Sequence, residues 1–73
     1  MSHAWEGFMA HHGVGDVLDG RVARVVPFGV FVEVADGVHG LLVGREQPQA
    51  GSSVSVRIAE IDHENRRLRF TAG

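Results

Sequence analysis

Residues 25–43 read VVPFGVFVEVADGVHGLLV, and this stretch decides the fold. From Val30 onward, apolar side chains alternate with other types, as in a strand that turns one face to a core. The predicted core face carries Val30, Val32 and Val34, and the opposite face carries Gly29, Phe31 and Glu33. The pair Asp36-Gly37 predicts a two-residue hairpin turn, because it tolerates the positive φ that such a turn requires. Residues 38–43 then return as the next strand.

Strand patterns also flank this hairpin. Residues 14–26 are rich in valine and predict a long first strand, which Gly20 interrupts as a bulge or sharp bend would. Residues 44–53 contain turn formers and predict a loop. Residues 54–61 and 67–71 predict the fourth and fifth strands. Their inward side chains are expected to be Val54, Val56, Ile58, Leu68 and Phe70.

Five short strands without a secure helix favour a small closed or nearly closed antiparallel barrel over a sandwich. Closure also removes the exposed edges that so much valine-rich strand would otherwise present. We expect residues 13–73 to form this barrel and residues 1–12 to be a flexible or loosely docked tail. Within the tail, Trp5 and Phe8 are spaced for one helical turn laid across the barrel.

Composition limits the classes of function. The chain has 73 residues and no cysteine, so it is one small domain without a disulfide or a thiolate metal site. His3, His11 and His12 lack a carboxylate or cysteine at a recognisable spacing, and we predict no metal and no cofactor. No apolar run approaches the roughly 20 residues of a membrane span. We expect a cytoplasmic protein with no membrane partner.

Charge gives a weaker signal. The formal net charge is −2, which argues against binding nucleic acid by bulk positive charge. Positive character gathers at the C-terminal end, where residues 51–73 hold four arginines against three acids. All seven basic residues are arginine. Guanidinium groups suit phosphate and base contacts, although codon bias in a GC-rich genome would produce the same composition.

Taken together, residues 14–71 resemble a known family, the RNA-binding repeat of ribosomal protein S-one, which is an OB-fold module. The order and spacing of several pieces carry the resemblance. These pieces are Val14-Gly15-Asp16, Gly20-Arg21-Val22, Phe28-Gly29-Val30-Phe31-Val32, Gly37-Val38-His39-Gly40-Leu41-Leu42, residues 51–56, and Ile61-Asp62 followed by Leu68-Arg69-Phe70-Thr71. The resemblance implies a five-stranded OB-fold barrel that binds RNA.

The resemblance also implies site residues. Phe28 and Phe31 would stack on bases, and Asp62 and Arg67 would flank the last hairpin. The family's histidine on the third strand is replaced by Val43, while His39 lies on the same strand face and would partly substitute. The loop from Gly44 to Ser53 is shorter than is usual in the family, so the barrel should be thinner at that end.

The sequence leaves open whether these residues bind or pack. Phe31 lies opposite the valines and could stack on a base, or it could pack against the tail or a loop; Phe28 could stack or cap the barrel. Arg57, Arg67 and Arg69 would form a positive strip if the last two strands are neighbours, or simply a solvated strand face. With Glu33 beside Phe31, we predict weak binding of single-stranded RNA, micromolar or looser, that salt strongly reduces.

Catalysis is not indicated. Asp16 and Asp19 are near each other in sequence, but this spacing alone does not indicate a catalytic pair of carboxylates. No glycine-rich phosphate loop precedes a helix. We predict that the chain is not an enzyme. We expect a monomer whose partners are single-stranded RNA and ribosomal or RNA-processing proteins. The alternative is a protein-interaction module that docks on a ribosomal, polymerase or nuclease partner without contacting RNA.

Overall fold

The computed structural model describes residues 4–44 and 48–73. One short helix precedes five strands along the chain. Their bounds are α1 Ala4–Met9, β1 Val17–Val26, β2 Gly29–Ala35, β3 Val38–Val43, β4 Ser53–Asp62 and β5 Arg67–Ala72. Each predicted strand is present, and its ends lie within three residues of the sequence prediction.

The strands close into a barrel in the order β1-β2-β3-β5-β4. The long strand β1 makes closure possible because residues 21–26 pair with β2 and residues 17–21 pair with β4. Four of the five pairings are antiparallel, and the pairing of β3 with β5 is parallel. The predicted five-stranded OB-fold barrel is therefore confirmed, and one of its ladders is parallel where antiparallel pairing was predicted.

The barrel interior is filled by the side chains that strand alternation turns inward. The buried core residues are Phe8, Val22, Val30, Val32, Val38, Val56, Ile58, Leu68 and Phe70. Six of these were predicted from the alternation, while the predicted Val34 and Val54 are half-buried and pack against the core. Burying one such apolar side chain completely contributes about 1.5–3 kcal/mol, so this set is the main source of the fold's stability.

Gly20 has a different role from the one predicted. The irregularity in β1 lies between Val22 and Arg24, where Ala23 is the extra residue relative to β2. At Gly20 a Cβ atom would lie 2.4 Å from Cγ1 of Val32. Gly20 is thus required by the close approach of β2; the bulge lies at Ala23 and not at Gly20, while the alternative of a sharp bend at Gly20 stays a prediction.

The Asp36-Gly37 turn joins β2 to β3 at the predicted position. Only Gly37 has a positive φ, of 76°, so one residue rather than two takes the left-handed conformation. The register between the strands shifts between Glu33 and Ala35, next to this turn. The pairing of β2 with β3 is therefore irregular next to the turn and regular further away from it.

Helix α1 contains the helical turn predicted from the spacing of Trp5 and Phe8. Phe8 belongs to the core, and Trp5 and Met9 pack against it. The ring of His12 stacks on Phe8 with the centroids 4.4 Å apart. The division into a tail of residues 1–12 and a barrel of residues 13–73 stays a prediction.

The histidines of this segment form no cluster that the structure can identify. His3 lies outside the described residues, and Nδ1 of His12 is 3.6 Å from Oδ2 of Asp16. Across residues 4–44 and 48–73, no group of three or more histidine and carboxylate side chains is placed to hold a metal ion. Within the same ranges, no helix has the length and apolar character needed to cross a membrane.

Candidate nucleic-acid interface

A concave surface on the outside of the barrel brings together side chains from β2, β3, β4 and β5. We call it the binding face. The residues that line it are Phe28, Phe31, His39, Gly40, Leu41, Glu60, Ile61, Asp62, Arg66, Arg67, Leu68 and Arg69. Six of the seven residues predicted from the sequence are among them, and Arg57 is not.

Phe31 lines this face from β2. It is half-buried, whereas its neighbours Val30 and Val32 on β2 are fully buried on the other side of the sheet. On β3 it pairs with Leu41, and its ring meets the edge of the His39 ring with centroids 6.5 Å apart and planes at 81°. Its ring does not belong to the core cluster, so a face of Phe31 is available to a ligand.

Phe28 precedes β2 at the rim of the binding face. Its side chain is 60% exposed, which is unusual for a phenylalanine in so small a protein. Val43, which stands in place of the family's histidine, is 54% exposed and lies on β3 opposite Gly29. The rim therefore presents an apolar side chain, Val43, at the position where the resemblance implied a histidine.

The arginines reach the face from β5 and from the turn before it. Arg69 pairs with Leu41 across the parallel ladder, so it is two strands away from Phe31. Its Nη1 is 3.9 Å from Oε2 of Glu60 on β4. Arg67 pairs with Asp62, and its guanidinium has no carboxylate within 4.0 Å among the described residues.

Arg57 does not join these arginines. It lies on β4 between Val17 of β1 and Thr71 of β5, away from the lining of the binding face. Arg57 is on the outer face, as predicted, but the register places it opposite Thr71, two residues beyond Arg69 on β5. The predicted strip of three arginines is therefore not continuous: Glu60, rather than Arg57, is the β4 neighbour of Arg69.

Arg66 is a lining residue that the sequence analysis missed. It has a φ of 53°, the only positive value among the described residues that are not glycine. Its Nη2 donates a hydrogen bond to Oε1 of Glu6 on helix α1 at 3.2 Å. Its position in a polar turn directly before Arg67 was the available signal, but strand alternation alone does not include turn residues.

Asp62 holds the turn between β4 and β5 in shape. The backbone N–H of Asn65 donates to Oδ1 at 3.2 Å, and Nδ2 of Asn65 donates to Oδ2 at 2.9 Å. These hydrogen bonds to the side chain and backbone of Asn65 lower the pKa of Asp62 below its ordinary value, with a smaller contribution from the Arg67 charge. Asp62 is therefore ionised at neutral pH and fixed as an acceptor beside Arg67.

Replacing Asn65 by alanine is expected to raise the pKa of Asp62 towards its ordinary value of 3.8, because the largest cause of the lowering is removed. In the native protein the lowered pKa stabilises the fold above the unfolded pKa, and this contribution is lost as the pH falls through the folded pKa. A titration of the Asp62 carboxyl carbon by NMR measures the change. Ser55→Ala, on the outer side of β4, is the control, and an unshifted Asp62 titration in Asn65→Ala would contradict this account.

The charges on the binding face nearly balance. Three arginines face two carboxylates, as the lining contains Arg66, Arg67, Arg69, Glu60 and Asp62. Glu33 adds a third carboxylate nearby, because it pairs with His39 on β3. Long-range attraction of a polyanion to this face would therefore be small.

Comparisons with known proteins agree with this geometry. The family model of the S1 RNA binding domain matches residues 11–73. Small ribosomal subunit protein bS1 of Mycolicibacterium smegmatis is 33% identical over 78 residues, covering 92% of this chain and 16% of the ribosomal protein. Polyribonucleotide nucleotidyltransferase of Aquifex aeolicus is 40% identical over 68 residues, covering 80% of this chain and 9% of that protein. The chain thus spans a small part of these relatives.

Solved structures show the same barrel. An uncharacterized protein from Methanocaldococcus jannaschii superposes with a TM-score of 0.77 and 22% sequence identity, covering 85% of this chain and 93% of that one. At this identity the likeness concerns the fold alone. The match of the family model over residues 11–73 shows more, and the chain belongs to the S1 RNA-binding domain family.

Proposed function

We propose that this chain is a non-catalytic module that binds single-stranded RNA weakly, through base stacking and arginine-phosphate contacts. The observation that carries the proposal is the position of Phe31, half-buried in the lining of a concave face that also holds Arg67 and Arg69. Membership of the S1 RNA-binding domain family supports the same class of ligand.

A base would stack on the open face of Phe31, and its neighbour would meet Phe28 at the rim. Stacking on an aromatic side chain contributes about 1–3 kcal/mol per base and tolerates any base. Across β3, Arg67 and Arg69 would contact the phosphates that follow. Asp62, oriented by its hydrogen bonds from Asn65, can accept a hydrogen bond from a ribose 2′-hydroxyl or a base amino group.

The relatives also suggest which proteins this chain would bind. Since the relatives include a small ribosomal subunit protein and a polyribonucleotide nucleotidyltransferase, we expect partners among ribosomal or RNA-processing proteins. We expect the domain to act as a monomer. In the closed barrel each of the five strands has a neighbour on both sides, so no strand edge is left for pairing with a second copy.

An NMR titration tests the proposal. The protein is titrated with a short single-stranded RNA of mixed sequence at low and moderate salt, and amide shifts are followed. Shifts should cluster around Phe28, Phe31, Asp62 and Arg67 and should weaken as salt rises, by about 0.7 in log affinity per log salt for each phosphate contact. Absence of shifts at millimolar RNA would overturn the proposal.

The alternative is a docking module for another protein. The exposure of Phe28 at 60% and of Val43 at 54% favours it, because both side chains offer apolar surface at one rim. In this case RNA would produce no clustered shifts, whereas substitutions of Phe28 and Val43 would release a protein partner. The titration above therefore separates the two functions.

A further inference from the structure

The bulge in β1 changes the direction in which Arg24 faces. Val22 is buried, and strict alternation along β1 would turn Arg24 to the same inner side. The structure inserts Ala23 as an extra residue, so that Val22 pairs with Val32 and Arg24 pairs with Phe31. Bulges commonly re-aim a side chain in this way. Arg24 is exposed and therefore lies on the outer face of the barrel, directly beside Phe31 of the binding face.

We infer that Arg24 is a phosphate-binding residue that extends the RNA path from β5 across β3 and β2 to β1. The inference rests on the proposed function. Strand register gives a row of directly paired outer residues, Arg24, Phe31, Leu41 and Arg69. A base stacked on Phe31 then has a guanidinium on each side of it. A single strand crossing the row can place one of its phosphates at Arg24 and another, further along, at Arg69.

Charge and exposure fit this role. Arg24 is exposed, and among the described residues no carboxylate lies within 4.0 Å of its guanidinium. Arg69, at the other end of the row, is partly neutralised by Glu60 at 3.9 Å. Arg24 is thus the less compensated cation of the two, and directly paired residues on one sheet face lie about 4.5–5.5 Å apart at Cβ, within reach of one nucleotide.

Arg21 provides a matched control on the same strand. It also lies on the outer face and is exposed, but it pairs with Glu33 instead of Phe31. It lines a separate depression whose other charged residues are Asp19, Glu33 and Asp36. A phosphate would be repelled there, so Arg21 should not contribute a direct contact.

The test compares Arg24→Gln with Arg21→Gln in the full chain. Fluorescence anisotropy with a labelled single-stranded RNA is measured over a series of salt concentrations, and melting curves check the fold. Arg24→Gln is expected to weaken binding about two- to fivefold at low salt, the range typical of an exposed ion pair. It should also lower the salt slope by about 0.7, the value of one phosphate contact on a single strand. Arg21→Gln should leave the slope unchanged.

The outcomes separate the inference about Arg24 from the proposed RNA binding on which it rests. If the unmodified chain binds and the two variants lose affinity and slope equally, Arg24 acts only through general charge and the inference is overturned. If the unmodified chain does not bind RNA at all, the proposed function falls and the inference falls with it. Arg24→Lys is the second variant, and it should keep the salt slope because it keeps the charge.

Discussion

Substituting alanine for Phe31 is expected to weaken binding of single-stranded RNA by about 5- to 150-fold, which corresponds to the 1–3 kcal/mol of one stacked base. The fold should tolerate the change. Phe31 is half-buried and does not belong to the core cluster, so its removal opens no cavity inside the barrel. Anisotropy titrations give the affinity, and thermal unfolding followed by circular dichroism gives the stability.

Two outcomes would contradict this expectation. A melting temperature many degrees lower would show that Phe31 is structural, as packing against the tail or a loop would make it. An unchanged affinity would show that no base stacks on this ring. Phe31→Tyr is the matched control, because it keeps an aromatic ring at the same position and should retain most of the affinity.

Gly40→Ala is expected to destabilise the barrel by about 1–3 kcal/mol or more, as overpacking of a well-packed site does. A Cβ atom at Gly40 would lie 2.5 Å from the backbone oxygen of Leu68 and 2.8 Å from its carbonyl carbon. The clash is with backbone, so β3 and β5 would have to separate at their parallel ladder. In a domain of this size each kcal/mol lowers the melting temperature by about 4–8 °C.

The chain offers a close control for this change. Gly44 follows β3, and a Cβ atom there would meet no atom within 4 Å. Gly44→Ala should therefore melt within a degree or two of the unmodified chain. Equal melting temperatures for the two variants would mean that the close approach of β3 to β5 is not needed for stability.

Much of the fold was predictable because the core is built from period-two alternation. The sequence prediction placed Val30, Val32, Val56, Ile58 and Phe70 inside, and all five are buried. Two features were not predictable from alternation. The parallel pairing of β3 with β5 depends on how the whole barrel closes, and the bulge at Ala23 depends on the partner strand rather than on a glycine.

Register, which alternation does not supply, explains where the site prediction was incomplete. Arg57 was grouped with Arg67 and Arg69 by counting outward positions; it does face outward, but it pairs with Thr71, and Glu60 is the β4 partner of Arg69. Arg24 was not among the predicted site residues; strict alternation from the buried Val22 would turn it inward, and the bulge at Ala23 turns it outward. Alternation identifies faces correctly only within an unbroken ladder, so residues beyond a bulge need the partner strand to be assigned.

The parallel ladder between β3 and β5 has a consequence for the energetics of the domain. Phe31 and Leu41 come from residues 29–43, and Arg67 and Arg69 come from residues 67–72, so the aromatic and cationic halves of the face meet only across this ladder. A strand of RNA bound to both halves would hold β3 and β5 together at this ladder. By mass action, RNA at 100 times its dissociation constant would stabilise the closed barrel by about 2.7 kcal/mol. Ligand and fold are in this sense thermodynamically linked.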